Sequence, residues 1–163
     1  MARDRSMPNL PVVVSMIIAL MLTMVPMPEA IGAFRPDWIA LIVIFWAMSV
    51  PRSYSVGVAW FAGILVDVTQ GTLLGQHALA LCAVTYIAVK FHLLMRVFPL
   101  LQLTATIFAL LAFYQFLLFW INGVAGVPAP SVSYWGPVIT GTVIWPLLHT
   151  FMSGVRFRVQ LGG

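Results

Sequence analysis

Three charged side chains, Arg35, Asp37 and Asp67, have the types best suited to chemistry or ligand binding in this chain. Arg35 and Asp37 belong to the segment Arg35-Pro36-Asp37-Trp38, which leads into an apolar run. A charge at the centre of a bilayer costs roughly 2.5–3.5 kcal/mol on insertion scales, so charges beside an apolar run have a role or lie at its end. An arginine and two carboxylates could pair with each other, bind a polar ligand or transfer protons.

The composition is that of an integral membrane protein. Of 163 residues, 62% are hydrophobic and 7% are charged, whereas an ordinary soluble domain has about 25% charged residues. The net charge of +4 comes from isolated basic residues rather than a basic stripe, so nucleic-acid binding is not expected. The lone Cys82 has no disulfide partner, and the three histidines are too widely spaced for a metal site. We therefore expect no cofactor and no metal.

Six apolar runs predict an all-α membrane protein with a single six-helix domain over residues 1–163. Each crossing needs about 20 apolar residues, so the second and third runs are short. The first run follows Arg3 and Arg5 as in a secretory signal, but it is longer than a usual signal core of about 7–15 residues and is expected to be retained. The predicted helices span residues 10–27, 36–50, 54–68, 77–96, 99–122 and 135–156.

The distribution of lysine and arginine predicts the orientation of these helices. In a six-helix topology, one side of the membrane holds Arg35, and the other holds Arg3, Arg5, Arg52, Lys90, Arg96, Arg156 and Arg158. Because positively charged loops stay on the cytoplasmic side, both termini are predicted to be cytoplasmic. Glu29, Arg35, Asp37 and Asp67 then lie together on the outer side of the membrane.

The segment Arg35-Pro36-Asp37-Trp38 is typical of a helix start. Pro36 suits the first helical turn, and Asp37 suits the positive end of the helix dipole. We predict that Asp37 caps its own helix and that Arg35 approaches Asp67 to ion-pair or single-water distance. This charge group could be a structural ion pair, a partner contact or a ligand site. Trp38 suits the membrane interface.

Asp67 lies in a glycine-rich stretch with two interpretations. Gly63, Asp67, Gly71 and Gly75 recur at every fourth position. If the stretch is helical, they share one face, where glycines let a neighbouring backbone approach closely. Alternatively, Gly71 and Gly75 form the turn between the third and fourth helices.

Together, Arg35-Pro36-Asp37-Trp38 and the pattern Gly-x-x-x-Asp67-x-x-x-Gly-x-x-x-Gly resemble the bacterial rod-shape-determining membrane protein family MreD. The resemblance implies a non-catalytic inner-membrane subunit of the machinery that elongates the lateral cell wall. It implies an MreC-like, single-span, periplasmic-facing partner, alongside an MreB-like actin homologue and the wall synthases. It also implies a fold similar to the substrate-binding subunits of energy-coupling-factor vitamin transporters. No catalytic role for these residues is carried over.

Two other functions remain open. A small-molecule binding or transport subunit of the vitamin-carrier type would arrange Arg35 and the two aspartates around a pocket. The first helix has only one alanine, Ala19, and so lacks the repeated-alanine coupling motif expected of those subunits. An intramembrane enzyme would need Asp37 and Asp67 to face each other across a substrate-sized gap. No serine elbow, zinc helix motif or phosphate loop accompanies them.

Overall fold

The computed structural model describes residues 9–51, 56–128 and 131–161, without the side chains of residues 9 and 158–161. All regular secondary structure in these ranges is helical, which confirms the predicted all-α class. The helices are α1 (Asn9–Met24), α2 (Glu29–Gly32), α3 (Trp38–Ser49), α4 (Val56–Gln70), α5 (Gln76–Lys90), α6 (His92–Val97), α7 (Leu100–Val124), a 3₁₀ helix (Val132–Trp135) and α8 (Gly136–Leu161). Arg3, Arg5, Arg52 and the Arg158 side chain, which entered the charge count, lie outside the described residues.

Helix α3 forms the centre of the molecule. Every residue from Ile39 to Met48 is buried, and α3 contacts α1, α4, α5, α6 and α8. Trp46 Nε1 donates a hydrogen bond of 2.8 Å to Ser15 Oγ, which ties α3 to α1. A helix apolar on all faces is a core helix, so the other helices surround α3.

Two short elements depart from the predicted helices. The predicted helix 77–96 is instead α5 and α6, separated at Phe91, whose φ of −102° and ψ of 12° are not helical. At this break, His92 Nδ1 lies 2.6 Å from the Val89 carbonyl oxygen. The turn carries α6 beneath α3, where Met95 is buried. The four-residue helix α2 forms within the predicted loop after the first helix.

Several helix ends also differ. The first helix stops at Met24 rather than residue 27, because Pro26 and Pro28 cannot continue it. The second begins at Trp38 rather than residue 36, and the sixth continues to Leu161 rather than residue 156. The predicted start of the third helix at residue 54 lies outside the described residues.

By length and composition, two of the described helices could cross a membrane. They comprise Leu100–Val124 and Val132–Phe157, and shorter apolar helices cover Leu10–Met24, Trp38–Ser49 and Val56–Gln70. The central α3 has 12 residues, a length of about 18 Å, against a hydrocarbon layer of about 30 Å. By length, α3 is therefore shorter than a full crossing.

Candidate functional site

Asp67, near the end of α4, is held by the turn that follows it. Its Oδ1 accepts hydrogen bonds from the Thr72 hydroxyl (3.0 Å) and the His77 backbone N–H (3.0 Å), and lies 2.7 Å from His77 Nδ1. Its Oδ2 accepts from the Gly75 N–H at 2.8 Å. Asp67 is 1% exposed. A carboxylate only accepts hydrogen bonds, so His77 donates one from its Nδ1–H to Asp67 Oδ1.

Two glycines give this turn its shape. Gly71 has a φ of +64° and Gly75 a φ of +96°. Residues with a Cβ rarely adopt this backbone conformation. Gly71 and Gly75 therefore form the turn between α4 and α5, as the second interpretation predicts. It folds the chain back so that Thr72 and the start of α5 reach the Asp67 carboxylate.

Gly63, in contrast, lies at a close contact between two helices, as the helical interpretation predicts. A Cβ built at Gly63 would overlap the backbone of Ala78, so α4 and α5 pack at a distance that only glycine allows. This contact confirms the predicted close approach at Gly63. The Gly63–Ala78 contact thus helps to set the position of the start of α5 beside α4.

Arg35 does not form the predicted ion pair with Asp67. Its guanidinium Nη2 donates a hydrogen bond of 2.6 Å to the Leu22 carbonyl, near the end of α1. In the part of the chain that the structure describes, Asp67 pairs instead with His77, through the 2.7 Å contact of His77 Nδ1 with Asp67 Oδ1. The Asp67 side chain is 0% exposed, which leaves no face for a water bridging to Arg35. The local turn donors occupy this carboxylate instead.

The remaining residues of the motif organise the start of α3. Asp37 is its N-cap, and Asp37 Oδ1 accepts from the Ala40 N–H at 3.2 Å, which confirms the predicted cap. Pro36 is buried and precedes the cap rather than lying in the first helical turn. Trp38 is half-buried and packs against the core.

A polar cavity opens between this helix start and the Asp67 turn. Its volume is about 490 Å³. Arg35, Pro36 and Asp37 line it from one side, and Thr72 and His77 from the other; the remaining lining residues are Thr23, Gly32, Ala33, Gln70, Gln76, Gln115, Leu118, Asn122, Ser131, Ser133, Tyr134 and Pro137. Asp67 lies behind His77 and does not line it. The cavity therefore unites the first motif with the partners of Asp67.

Two buried side chains present unpaired polar ends to this cavity. Gln76 and His77 are each 6% exposed. Neither the Gln76 amide nor His77 Nε2 has a hydrogen-bond partner among the described residues, whereas His77 Nδ1 is fixed by Asp67. Arg35 Nε, on the opposite wall, is buried and likewise unpaired within the described ranges. Because the Gln76 amide and His77 Nε2 are not enclosed by protein, the cavity offers these donors and acceptors to an occupant.

Sequence reasoning missed Gln76 and His77. The interval between Asp67 and His77 matches no regular helical spacing, and only the positive-φ glycines bring them together. The signal available in the sequence was the stretch from Gly71 to Gly75. A turn there brings the next polar residues, Gln76 and His77, back toward Asp67. The two aspartates do not share a gap as an acid–base pair would, because Asp37 lines the cavity and Asp67 does not.

The helical fold, its apolar helices and the polar cavity define a small, all-helical, membrane-associated protein. Residues 4–155 match the rod shape-determining protein MreD family, and the chain belongs to this family. It is 24% identical over 148 residues to the rod shape-determining protein MreD of Haemophilus influenzae, covering 89% of this chain and 90% of that protein. No solved structure matches the chain. The resemblance drawn from the two motifs is confirmed, and membership of this family supports a role in determining rod shape.

Proposed function

We propose that this protein is a non-catalytic, multi-pass inner-membrane subunit of the bacterial cell-wall elongation machinery. It acts by assembling with an MreC-like single-span protein that faces the periplasm, alongside an MreB-like actin homologue and the wall synthases. The observation that carries this proposal is the family match over residues 4–155. Most of the described residues belong to helices, so a partner would be recognised by helix faces and short connections. This composition of the molecule supports an assembly role.

Charge segregation supports an orientation with both termini in the cytoplasm. Asp37 caps the first turn of α3, while Arg96 donates to the Met48 and Ser49 carbonyls at its last turn. These two groups are separated by the length of α3, about 18 Å. By the positive-inside rule, the end with Arg96 faces the cytoplasm.

The proposed architecture is one six-helix membrane domain similar to the substrate-binding subunits of energy-coupling-factor transporters. In this arrangement α5 and α6 together form the fourth crossing, and α2 and the 3₁₀ helix lie at the outer surface. The short α3, buried from Ile39 to Met48, supports the assignment, because its length matches a core helix with polar cavities at its ends.

Within this domain, we assign the outer-side motif to shaping the partner-facing end. Arg35 joins the ends of α1 and α3 through Leu22, and Asp67 joins α4 to α5 through His77. These bonds fix the helix ends that border the outer connections. The motif thus orients the surface offered to a partner.

Copurification in detergent tests the assembly. The tagged chain and an MreC-like protein should be recovered together in constant ratio. Recovery of the chain alone, under conditions that preserve the partner's other contacts, would refute the proposed assembly.

The variant Arg35→Gln distinguishes two roles for the motif, with Glu29→Gln as a control that also neutralises one charge. Lost capture with unchanged thermal stability makes Arg35 a partner contact, whereas parallel loss of both makes it structural.

A second function, small-molecule binding in the outer cavity, has one specific observation in its favour. The cavity of about 490 Å³ is open rather than filled by side chains, and lies within the range of about 300–1,000 Å³ usual for ligand sites. Gln76 and His77 point unpaired polar atoms into it.

Native mass spectrometry of the chain extracted from its own membrane tests this second function. A bound ligand should appear as a constant added mass that Gln76→Leu weakens, with Gln102→Leu, at an exposed position that does not line the cavity, as the control. Absence of any added mass other than lipid would exclude it.

A further inference from the structure

A second polar cavity lies at the opposite end of α3. Its volume is about 290 Å³. It is lined by both polar and apolar side chains: Ser49, Arg96, His149, Ser153 and Arg156, with Met48, Met95, Phe98, Leu100 and Leu103. Helices α3, α6, α7 and α8 all contribute.

The charge in this cavity has one sign. The acidic residues within the described ranges are Glu29, Asp37 and Asp67, and none lines it. Arg96 is held in place, since its Nε donates to the Met48 carbonyl at 3.1 Å and its Nη2 to the Ser49 carbonyl.

Arg156 is half-buried, and its side chain has no hydrogen bond or ion pair with any described residue. A partly desolvated arginine without a counter-ion is unfavourable, so this cavity favours an anionic occupant.

An apolar cavity adjoins the basic one. Its volume is about 300 Å³, and it lies along α6 and α7. Met95 and Phe98 line both cavities, so the two cavities meet at these side chains. The rest of its lining is almost wholly apolar: Ile87, Phe91, Leu94, Thr106, Ala109, Leu110 and Phe113.

We propose that the two cavities together bind one anionic phospholipid. Its phosphate lies between Arg96 and Arg156, with Ser153 as a further hydrogen-bond donor, and an acyl chain lies in the apolar cavity. Guanidinium groups match phosphate oxygens in geometry and charge. Basic pockets between membrane helices on the cytoplasmic side are typical sites for anionic headgroups.

The adjoining apolar cavity favours a lipid over a free phosphate. A phosphate ion would use the two arginines and leave the apolar cavity unused, whereas a phospholipid uses both. This proposal is independent of the assembly with an MreC-like partner, because it concerns the opposite end of α3 from the outer motif.

Native mass spectrometry of the purified full chain, titrated with dioleoyl phosphatidylglycerol, tests the site. Dioleoyl phosphatidylethanolamine and inorganic phosphate serve as comparison probes. Phosphatidylglycerol should bind as one tight adduct and outcompete phosphatidylethanolamine, and Arg156→Gln should weaken it about fivefold, as expected for one basic side chain near an anionic headgroup. The control Lys90→Gln removes a charge that lines neither cavity and lies over the Tyr86 ring; it should leave binding unchanged.

Ala109→Trp distinguishes a lipid from a free anion by filling the apolar cavity. It should weaken phosphatidylglycerol binding severalfold and leave inorganic phosphate binding as it is. If Arg156→Gln does not fold, Ser153→Asp, which introduces a negative charge without removing a bond, should produce the same loss. Equal affinity for the two lipids, an equal effect of Lys90→Gln and Arg156→Gln, or tight binding of inorganic phosphate unaffected by Arg156→Gln would each overturn the proposal.

Discussion

Asp37 and Asp67 are the same residue type in different roles, and the difference explains which could be predicted. The Asp37 cap is local, because it bonds to the N–H of Ala40 three positions on, so the sequence was sufficient. The Asp67 bond to His77 depends on two positive-φ glycines between them. Charge complementarity suggested Arg35 as the partner of Asp67, but Arg35 reaches the Leu22 carbonyl instead.

Replacing Asp67 tests the turn that holds α4 to α5. Asp67→Asn removes the negative charge and leaves one acceptor oxygen in place of two, so the bonds from Thr72, Gly75 and His77 are weakened or lost. It should lower the free energy of unfolding by about 1.5–3 kcal/mol. Reversible unfolding in mixed detergent measures this change. Glu29→Gln, at an exposed acid, is the control and should be near neutral. Equal stability of the two variants would show that the Asp67 turn contributes nothing.

The Asp37 cap gives a second residue-scale prediction. Asp37→Ala removes the acceptor for the Ala40 N–H and should cost about 1 kcal/mol. Asp37→Asn keeps an acceptor oxygen and should cost much less. Thermal unfolding in detergent distinguishes the two. If Asn is as costly as Ala, the Asp37 charge rather than its cap is responsible.

At the scale of elements, apolar runs predicted where helices exist but not where they end. The break between α5 and α6 interrupts one continuous apolar run, and its cause is tertiary: α6 turns to bury Met95 under α3 and to bring Arg96 to the end of that helix. The close contact of α4 with α5 was foreseeable from Gly63, because a small residue on an apolar face marks a helix approach.

Gly63→Ala tests the α4–α5 contact. The added methyl group would overlap the Ala78 backbone, and overpacking of this kind costs about 1–3 kcal/mol. Gly154→Ala, in α8, is the matched control because nothing lies within 4 Å of a Cβ there; it should be neutral or slightly stabilising. Detergent unfolding of both variants gives the comparison. A neutral Gly63→Ala would mean that α4 and α5 pack less closely than described.

At the scale of the whole molecule, a short central helix creates a polar cavity at each end. The outer cavity contains Arg35 and His77, and the basic one contains Arg96 and Arg156. The sequence predicted the segregation of charge but not the cavities, because a cavity depends on how surrounding helices extend beyond α3.

Cysteine labelling tests the orientation. In a Cys82→Ser background, Ser131→Cys should react with a membrane-impermeant maleimide in intact spheroplasts, because position 131 is exposed and the proposed topology places it outside the membrane. Phe157→Cys, also exposed, should react only after permeabilisation. The reverse pattern would invert the topology and move the outer motif to the cytoplasm.

The central claim is that this bundle serves as an assembly subunit, and a photocrosslinking map in living cells tests it most directly. A photoreactive amino acid is placed at exposed apolar positions on four helices, Ile18, Trp60, Phe116 and Val143, with an MreC-like partner expressed at its natural level. We predict crosslinks to the single-span partner from one helix face and lipid crosslinks from the others. An absence of partner crosslinks from every face, while the partner retains its other contacts, would contradict the account.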